Sequence, residues 1–93
     1  QKYHDMQMRN LIDLATLCSQ QKDFEQALHY CQLAIQEDAC QEEAYRLSMQ
    51  VHAQMGNKAA VSRQYRLCQE KLHEEVGVEP SPQTVSLFEK LMS

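Results

Sequence analysis

The stretch VSRQYRLCQEKLHEEVGVEPSPQTVSLFEKL, residues 61–91, decides the fold of this chain. Its first half places apolar residues three or four positions apart, which predicts a helix with one buried stripe. The stripe consists of Val61, Tyr65, Cys68 and Leu72. Gly77 follows, and glycine readily takes the left-handed conformation that ends helices. We therefore expect a long amphipathic helix that stops at Gly77.

The residues GVEPSP, 77–82, form a stiff corner before a second amphipathic segment. Ser81 is a preferred N-cap residue, and Pro82 suits the first turn of a helix. The apolar side of the segment that follows consists of Val85, Phe88 and Leu91 or Met92. That side predicts a short final helix that folds back against the long one and closes a helical stack.

Charge limits the partners of the chain, because 9 basic and 13 acidic residues leave a net charge of −4. Nucleic-acid-binding domains usually present a basic face, so direct DNA binding by this segment is not expected. A local basic run consists of Lys58, Arg63, Arg66 and Lys71. We interpret it as a solvated helix face on which Arg66 pairs with Glu70. The alternative is a contact with phosphate or an acidic partner.

The length of 93 residues supports a single domain, residues 1–93, with a modest core. No apolar run approaches the roughly 20 residues that span a bilayer, and no signal peptide is evident, so no membrane partner is expected. Gln1 is not an initiator residue, and we expect the domain to be excised from a longer protein.

Four cysteines and four histidines raise the question of a metal site. Their spacing lacks the paired ligands typical of zinc sites, so neither a metal nor another cofactor is predicted. Cys18, Cys31 and Cys68 fall on apolar stripes and are expected to pack in the core, whereas Cys40 lies in a turn. Unpaired thiols favour a cytoplasmic location. No cysteine has a neighbouring base, so no catalytic residue is predicted and the chain is not expected to be an enzyme.

The first two thirds of the chain also predict helices. We expect them over residues 3–20 and 24–37, with a third that carries Tyr45, Leu47, Val51 and Met55. N-cap signals precede the second, third and fourth helices, in the form of Asp23 with Gln26, Asp38 with Gln41, and Asn57.

The first helix is apolar on two sides. One stripe consists of Met8, Leu11, Ala15 and Cys18, and the other of Tyr3, Met6, Leu14 and Leu17. A helix of this kind needs neighbours on both sides, and we expect the second neighbour to lie upstream. Without that neighbour, Tyr3, Met6 and Leu17 should form a patch that self-associates, so a homodimer is a candidate state.

A shift of 34 residues superimposes the second helix pair on the first, and 34 residues is the tetratricopeptide period. It places Ala27 over Val61, Cys31 over Tyr65 and Ala34 over Cys68. Small residues such as Ala27 and Ala34 allow two helices to approach closely. The predicted fold class is therefore all-α, a tetratricopeptide-like right-handed superhelical stack of two helix pairs with a C-terminal capping helix.

The segment EVGVEPSPQT, residues 75–84, followed by LFEKL, residues 87–91, narrows the assignment. It resembles the bacterial transcriptional activator domain, the tetratricopeptide-like module of Streptomyces antibiotic regulatory protein type regulators. Residues 38–49 resemble the family's matching turn and helix, with Ala39 and Cys40 in place of the usual proline and large apolar residue. The resemblance covers essentially the whole chain.

This resemblance implies a protein–protein interaction module of a bacterial transcriptional regulator. In this family the domain follows a winged-helix DNA-binding domain and supports dimerisation, docking of the DNA-binding domain or contact with the transcription machinery. Two alternatives remain open. One is a generic tetratricopeptide scaffold or adaptor unrelated to transcription, and the other is an enzyme accessory or metal-sensing domain that uses the cysteines and histidines.

The first helix of each pair in such a stack lines the concave side, so its outward residues are the candidates for partner binding. These are Arg9, Ile12, Thr16 and Gln20 from the first helix, and Glu43, Arg46, Gln50 and Gln54 from the third. A cationic clamp for a carboxylate is not expected, because Ile12, Thr16 and Leu47 occupy the equivalent positions.

Overall fold

The computed structural model describes the backbone of residues 2–93 and the side chains of residues 6–93. Within this part of the chain there are five α-helices and no strand: α1 (Lys2–Gln20), α2 (Phe24–Glu37), α3 (Glu42–Gln54), α4 (Lys58–Val76) and α5 (Pro82–Met92). The predicted all-α fold class is confirmed.

The helices stack in consecutive pairs. Helix α1 packs against α2, and α3 packs against α4, while α2–α3 contacts join the two pairs. Helix α5 rests on both members of the second pair. This arrangement is the predicted tetratricopeptide-like stack closed by a final helix.

Several small residues lie in the core. Ala27, Ala34 and Ala44 are completely buried, which allows neighbouring helix backbones to approach. In the second pair, the large side chain of Tyr45 is also completely buried and clusters with Cys68 and Leu72. Its hydroxyl donates to the carbonyl oxygen of Ala39 at 2.8 Å, so the polar end of this ring is not left unpaired.

Three of the four predicted N-caps are confirmed. The side chains of Asp23, Asn57 and Ser81 each accept a hydrogen bond from the backbone N–H three residues further on. The cap predicted at Asp38 is wrong. Its carboxylate instead accepts from the Cys40 N–H at 3.0 Å, and α3 begins four residues later. A side-chain hydrogen bond within the turn has replaced the helix cap.

The corner after α4 has the predicted geometry. Gly77 has a φ of +69°, and its N–H donates to the carbonyl of His73 at 3.1 Å. Beyond it, Pro80 is buried and Ser81 caps α5. The ring of Phe88 then stacks on Tyr65 with centroids 4.0 Å apart, which fixes α5 against α4. The expectation that the final helix folds back on the long one is confirmed.

Replacing Gly77 with valine should lower the free energy of unfolding by about 1 kcal/mol or more, because β-branched residues resist a positive φ. A Cβ at this position would meet no atom within 4 Å, so the expected loss comes from backbone strain and not from a clash. Gly77→Asn is the control, because asparagine tolerates this conformation better. Equal melting midpoints for Gly77→Val and the parent protein would contradict this account of the corner.

The burial of the thiols agrees only partly with the prediction. Cys31 and Cys68 are buried as predicted, and burial raises the pKa of each thiol to about 12. Cys18 is only half-buried.

The predicted pair of Arg66 with Glu70 is wrong, because the Arg66 guanidinium donates instead to the Ser62 hydroxyl at 3.4 Å.

Candidate functional site

Two adjoining clefts run along α3. The first has a volume of about 220 Å³ and lies between α1, α3 and the start of α5. The second has a volume of about 490 Å³ and lies between the end of α3 and the end of α5. They share Gln50, and together we call them the α3 groove. It is lined by Thr16, Glu43, Arg46, Leu47, Gln50, Ala53, Gln54, Gln83, Leu87, Lys90 and Leu91.

The helical period explains why α3 presents this face. Its groove residues Glu43, Leu47, Gln50 and Gln54 recur at intervals of three or four positions, which places them on one side. The other side carries the core residues Tyr45, Ser48, Met49 and Val51, all buried. One helix therefore supplies both the core of the second pair and the floor of the groove.

An ion pair closes the groove at the α1 end. The Arg9 guanidinium donates to both carboxylate oxygens of Glu43, at 3.3 and 3.1 Å, and its Nε lies 3.3 Å from Asp13. The Arg9–Glu43 pair is about half exposed, and exposed pairs contribute at most about 1 kcal/mol. Its main consequence is to join α1 to α3 across 34 residues of sequence.

A partly buried polar cluster fixes the start of α5 beside the groove. Glu42 Oε1 accepts from the Thr84 hydroxyl at 2.7 Å and from the Ser81 N–H at 3.0 Å. Arg46 donates to the Thr84 hydroxyl at 2.9 Å, and Thr84 is completely buried. We call Glu42, Arg46, Ser81 and Thr84 the α5 latch.

The α5 latch lowers the pKa of Glu42 below its ordinary value. Burial is the largest single influence and raises the pKa, but the hydrogen bonds from Thr84 and Ser81 and the charge of Arg46 together outweigh it. These contacts therefore stabilise the ionised form of Glu42.

Most of the partner-binding candidates predicted from sequence lie on this face. Thr16, Glu43, Arg46 and Gln50 line the first cleft, and Gln54 lines the second. Arg9 lines a smaller neighbouring cleft of about 190 Å³. Gln20 is exposed at the end of α1 and lines none of these clefts.

Ile12 is the exception, and the expectation that it faces outward is wrong. It is only 2% exposed and belongs to a core cluster with Met8, Ala34 and Ala44. Met8 and Ile12 are one helical turn apart, so both lie on the buried stripe of α1. Thr16, one further turn along, lies at the edge of that stripe and donates its hydroxyl to the Ile12 carbonyl at 2.8 Å.

The partner-binding residues predicted from the sequence do not include the α5 side of the groove. Gln83, Leu87, Lys90 and Leu91 supply this wall. The signal was present, because α5 follows two complete pairs and so occupies the place of the first helix of a third pair. First helices line one common face of such a stack, and the outward residues of α5 should lie beside those of α3.

The second apolar stripe of α1 lies away from this groove. Met6, Leu14 and Leu17 are 61%, 41% and 49% exposed, while Tyr3 lies outside the residues whose side chains are described. Met6 and Leu17 are eleven residues apart, close to three helical turns, so they share a side. The exposure of this stripe is as expected.

Residues 6–93 were also compared with the requirements of a metal site and of a membrane-spanning helix. No group of three or more histidine, cysteine or acidic side chains in this range is placed to hold a metal ion. No helix among the described residues is long and apolar enough to cross a membrane.

The helix order, the closing corner and the α3 groove define a helix-pair repeat domain. The family model described as the bacterial transcriptional activator domain matches residues 1–92, and the chain belongs to this family. The domain is therefore a regulatory domain of transcription. No significant match to the chain was found among curated proteins or among solved structures.

Proposed function

We propose that this domain is a protein-docking module of a bacterial transcriptional regulator and that the α3 groove is its docking surface. The observation that carries the proposal is that two clefts, lined by residues of α1, α3 and α5, adjoin at Gln50, which lines both. Candidate partners are the regulator's own winged-helix DNA-binding domain, a second protomer or the transcription machinery. The location that fits this role is the cytoplasm.

The lining of the groove favours docking over catalysis. It consists of three glutamines, three leucines, one alanine, one threonine and three charged residues. Glu43 is held by Arg9, and Arg46 belongs to the α5 latch. The remaining lining residues are mostly amide and aliphatic side chains, which suit contact with another protein. The domain is thus proposed to act by binding.

The net charge supports a protein partner over direct DNA binding. At −4 the chain lacks the excess of basic residues that neutralises phosphates. Operator binding is assigned in this proposal to the winged-helix domain, and activation depends on what this domain contacts. A scaffold unrelated to transcription is less well supported, because the family is one of transcriptional activators.

In the complete regulator, Gln50→Trp should reduce transcription from a reporter by about tenfold or more, because it places a bulky side chain where the two clefts meet. Gln50 is exposed, so the melting midpoint should not change. The matched control is Gln32→Trp on α2, also exposed and outside the groove, which should leave transcription unchanged. Operator binding should be the same for both variants.

Two outcomes would contradict the proposal. Full reporter activity with Gln50→Trp would show that the groove makes no contact needed for activation. An equal loss with Gln32→Trp would show that the effect belongs to the added bulk and not to this surface.

We also propose that the stripe of Met6 and Leu17 supports self-association. Leu17→Glu should shift the isolated domain towards monomer in sedimentation equilibrium, because it places a carboxylate within the apolar contact. Val76→Glu is the control, since Val76 is similarly exposed at the far end of α4. A parent domain that stays strictly monomeric at high concentration, or equal effects of both variants, would contradict this role.

A further inference from the structure

The α3 groove carries free hydrogen-bonding groups, unpaired positive charge and apolar surface side by side. We infer that it binds an extended peptide segment of another protein in which acidic and apolar side chains alternate. The inference rests on the proposed docking function and gives the chemistry of the partner. A helical partner segment and a basic one are the outcomes that would overturn it.

The glutamines favour an extended peptide over a helix. Gln50, Gln54 and Gln83 line the groove, and none of these side chains bonds to another described residue. Each carboxamide can donate two hydrogen bonds and accept others. An extended backbone leaves N–H and C=O groups free to meet them, whereas a helix has already paired its own.

The spacing along α3 matches a strand. Gln50 and Gln54 are one helical turn apart, about 6 Å along the axis at 1.5 Å per residue. Two residues of an extended chain advance by about 6.6 Å, and residues two apart face the same side. A peptide laid along α3 would therefore present equivalent backbone groups to both glutamines.

The charges favour carboxylates on the occupant. Lys90 makes no ion pair with a described residue. Arg46 uses Nη1 on Thr84 and is 4.0 Å from Glu42, which leaves its other guanidinium nitrogens available. The acidic Glu43 is engaged by Arg9. The groove thus offers the unpaired Lys90 and part of the Arg46 guanidinium on a chain whose net charge is −4, and these groups complement carboxylates on an occupant.

The leucines supply the apolar part of the contact. Leu47 lies in the first cleft and Leu87 and Leu91 in the second, and all three are half-buried. Leu87 and Leu91 are one turn apart on α5 and flank Lys90. Side chains on one face of an extended peptide can pack here, while acidic residues between them lie close to Lys90 and Arg46.

Nuclear magnetic resonance titration of the isolated domain tests this chemistry with defined probes. The first probe is a pool of N-acetylated, C-amidated octapeptides that alternate Asp or Glu with Leu, Val or Phe. The second is the same pool with lysine in place of every acid. The third places the acids and apolar residues of the first pool at helical spacing in 16-residue peptides. Side-chain NH₂ signals of Gln50, Gln54 and Gln83 report binding directly.

We expect the first pool to shift those three NH₂ signals and to bind at least tenfold more tightly than the lysine pool. Lys90→Gln should weaken binding of the first pool about fivefold or more. Arg63→Gln is the matched loss of one charge on α4, outside the groove, and should leave binding unchanged. Both residues are exposed, so neither substitution should alter the fold.

Any one of four results would overturn the inference. They are no shift of the three NH₂ signals with the first pool, tighter binding of the lysine pool, tighter binding of the helical peptides, and equal weakening by Lys90→Gln and Arg63→Gln. Failure here is separable from failure of the docking proposal. If Gln50→Trp still reduces transcription while no acidic peptide binds, the groove docks a partner of different chemistry.

Discussion

Tyr45→Ala should lower the free energy of unfolding by about 4 kcal/mol, which is a large part of the stability of a 93-residue domain. The Tyr45 side chain is completely buried between α3 and α4 and contacts Cys68 and Leu72. Its removal leaves a cavity that Cys68 and Leu72 cannot fill. It also leaves the Ala39 carbonyl without its hydrogen bond from the Tyr45 hydroxyl.

The matched control for this prediction is Tyr45→Phe. It keeps the ring and removes only the 2.8 Å hydrogen bond to Ala39, which should cost about 1 kcal/mol. Urea unfolding of the three proteins, followed by far-ultraviolet circular dichroism, measures both differences. A Tyr45→Ala protein as stable as Tyr45→Phe would show that this ring does not fill the core of the second pair.

Local signals were sufficient to predict the helices and most of their ends. Asp23, Asn57 and Ser81 cap as expected because each bond reaches only three residues along the chain. Gly77 ends α4 because its freedom at positive φ is a property of the residue itself. The cap predicted at Asp38 was wrong, also for a local reason. Its carboxylate could accept from a backbone N–H at the start of α3 or from the Cys40 N–H within the turn, and it accepts from Cys40.

The groove was harder to predict because it depends on distant contacts. The α5 latch joins residues 42 positions apart, and no periodicity within α3 indicates that Glu42 will meet Thr84. Ile12 was misplaced because it lies on neither apolar stripe predicted for α1. The contacts of α1 with α2 and α3 bury the line through Met8, Ile12 and Ala15 instead. Arg46 was predicted as a surface residue for a partner, but one of its donors is used within the fold.

Glu42→Ala should lower the free energy of unfolding by about 3 kcal/mol at neutral pH, because it breaks the centre of the α5 latch. The Thr84 hydroxyl and the Ser81 N–H would lose their acceptor, and the partly buried guanidinium of Arg46 would lose its counter-charge. Glu43→Ala is the matched control. It removes a neighbouring carboxylate that is 44% exposed, and should cost less than about 1 kcal/mol.

The pH dependence gives an independent check on the latch. Since folding lowers the pKa of Glu42, its contribution to stability is fully present above the unfolded value of about 4.3 and is lost as pH falls through the lower folded value. The stability difference between the parent domain and Glu42→Gln should therefore be largest near neutral pH and shrink in acid. Chemical unfolding at a series of pH values measures it. A difference that stays constant down to strongly acidic pH, or a Glu43→Ala protein as unstable as Glu42→Ala, would mean that the ionised carboxylate of Glu42 does not hold α5 in place.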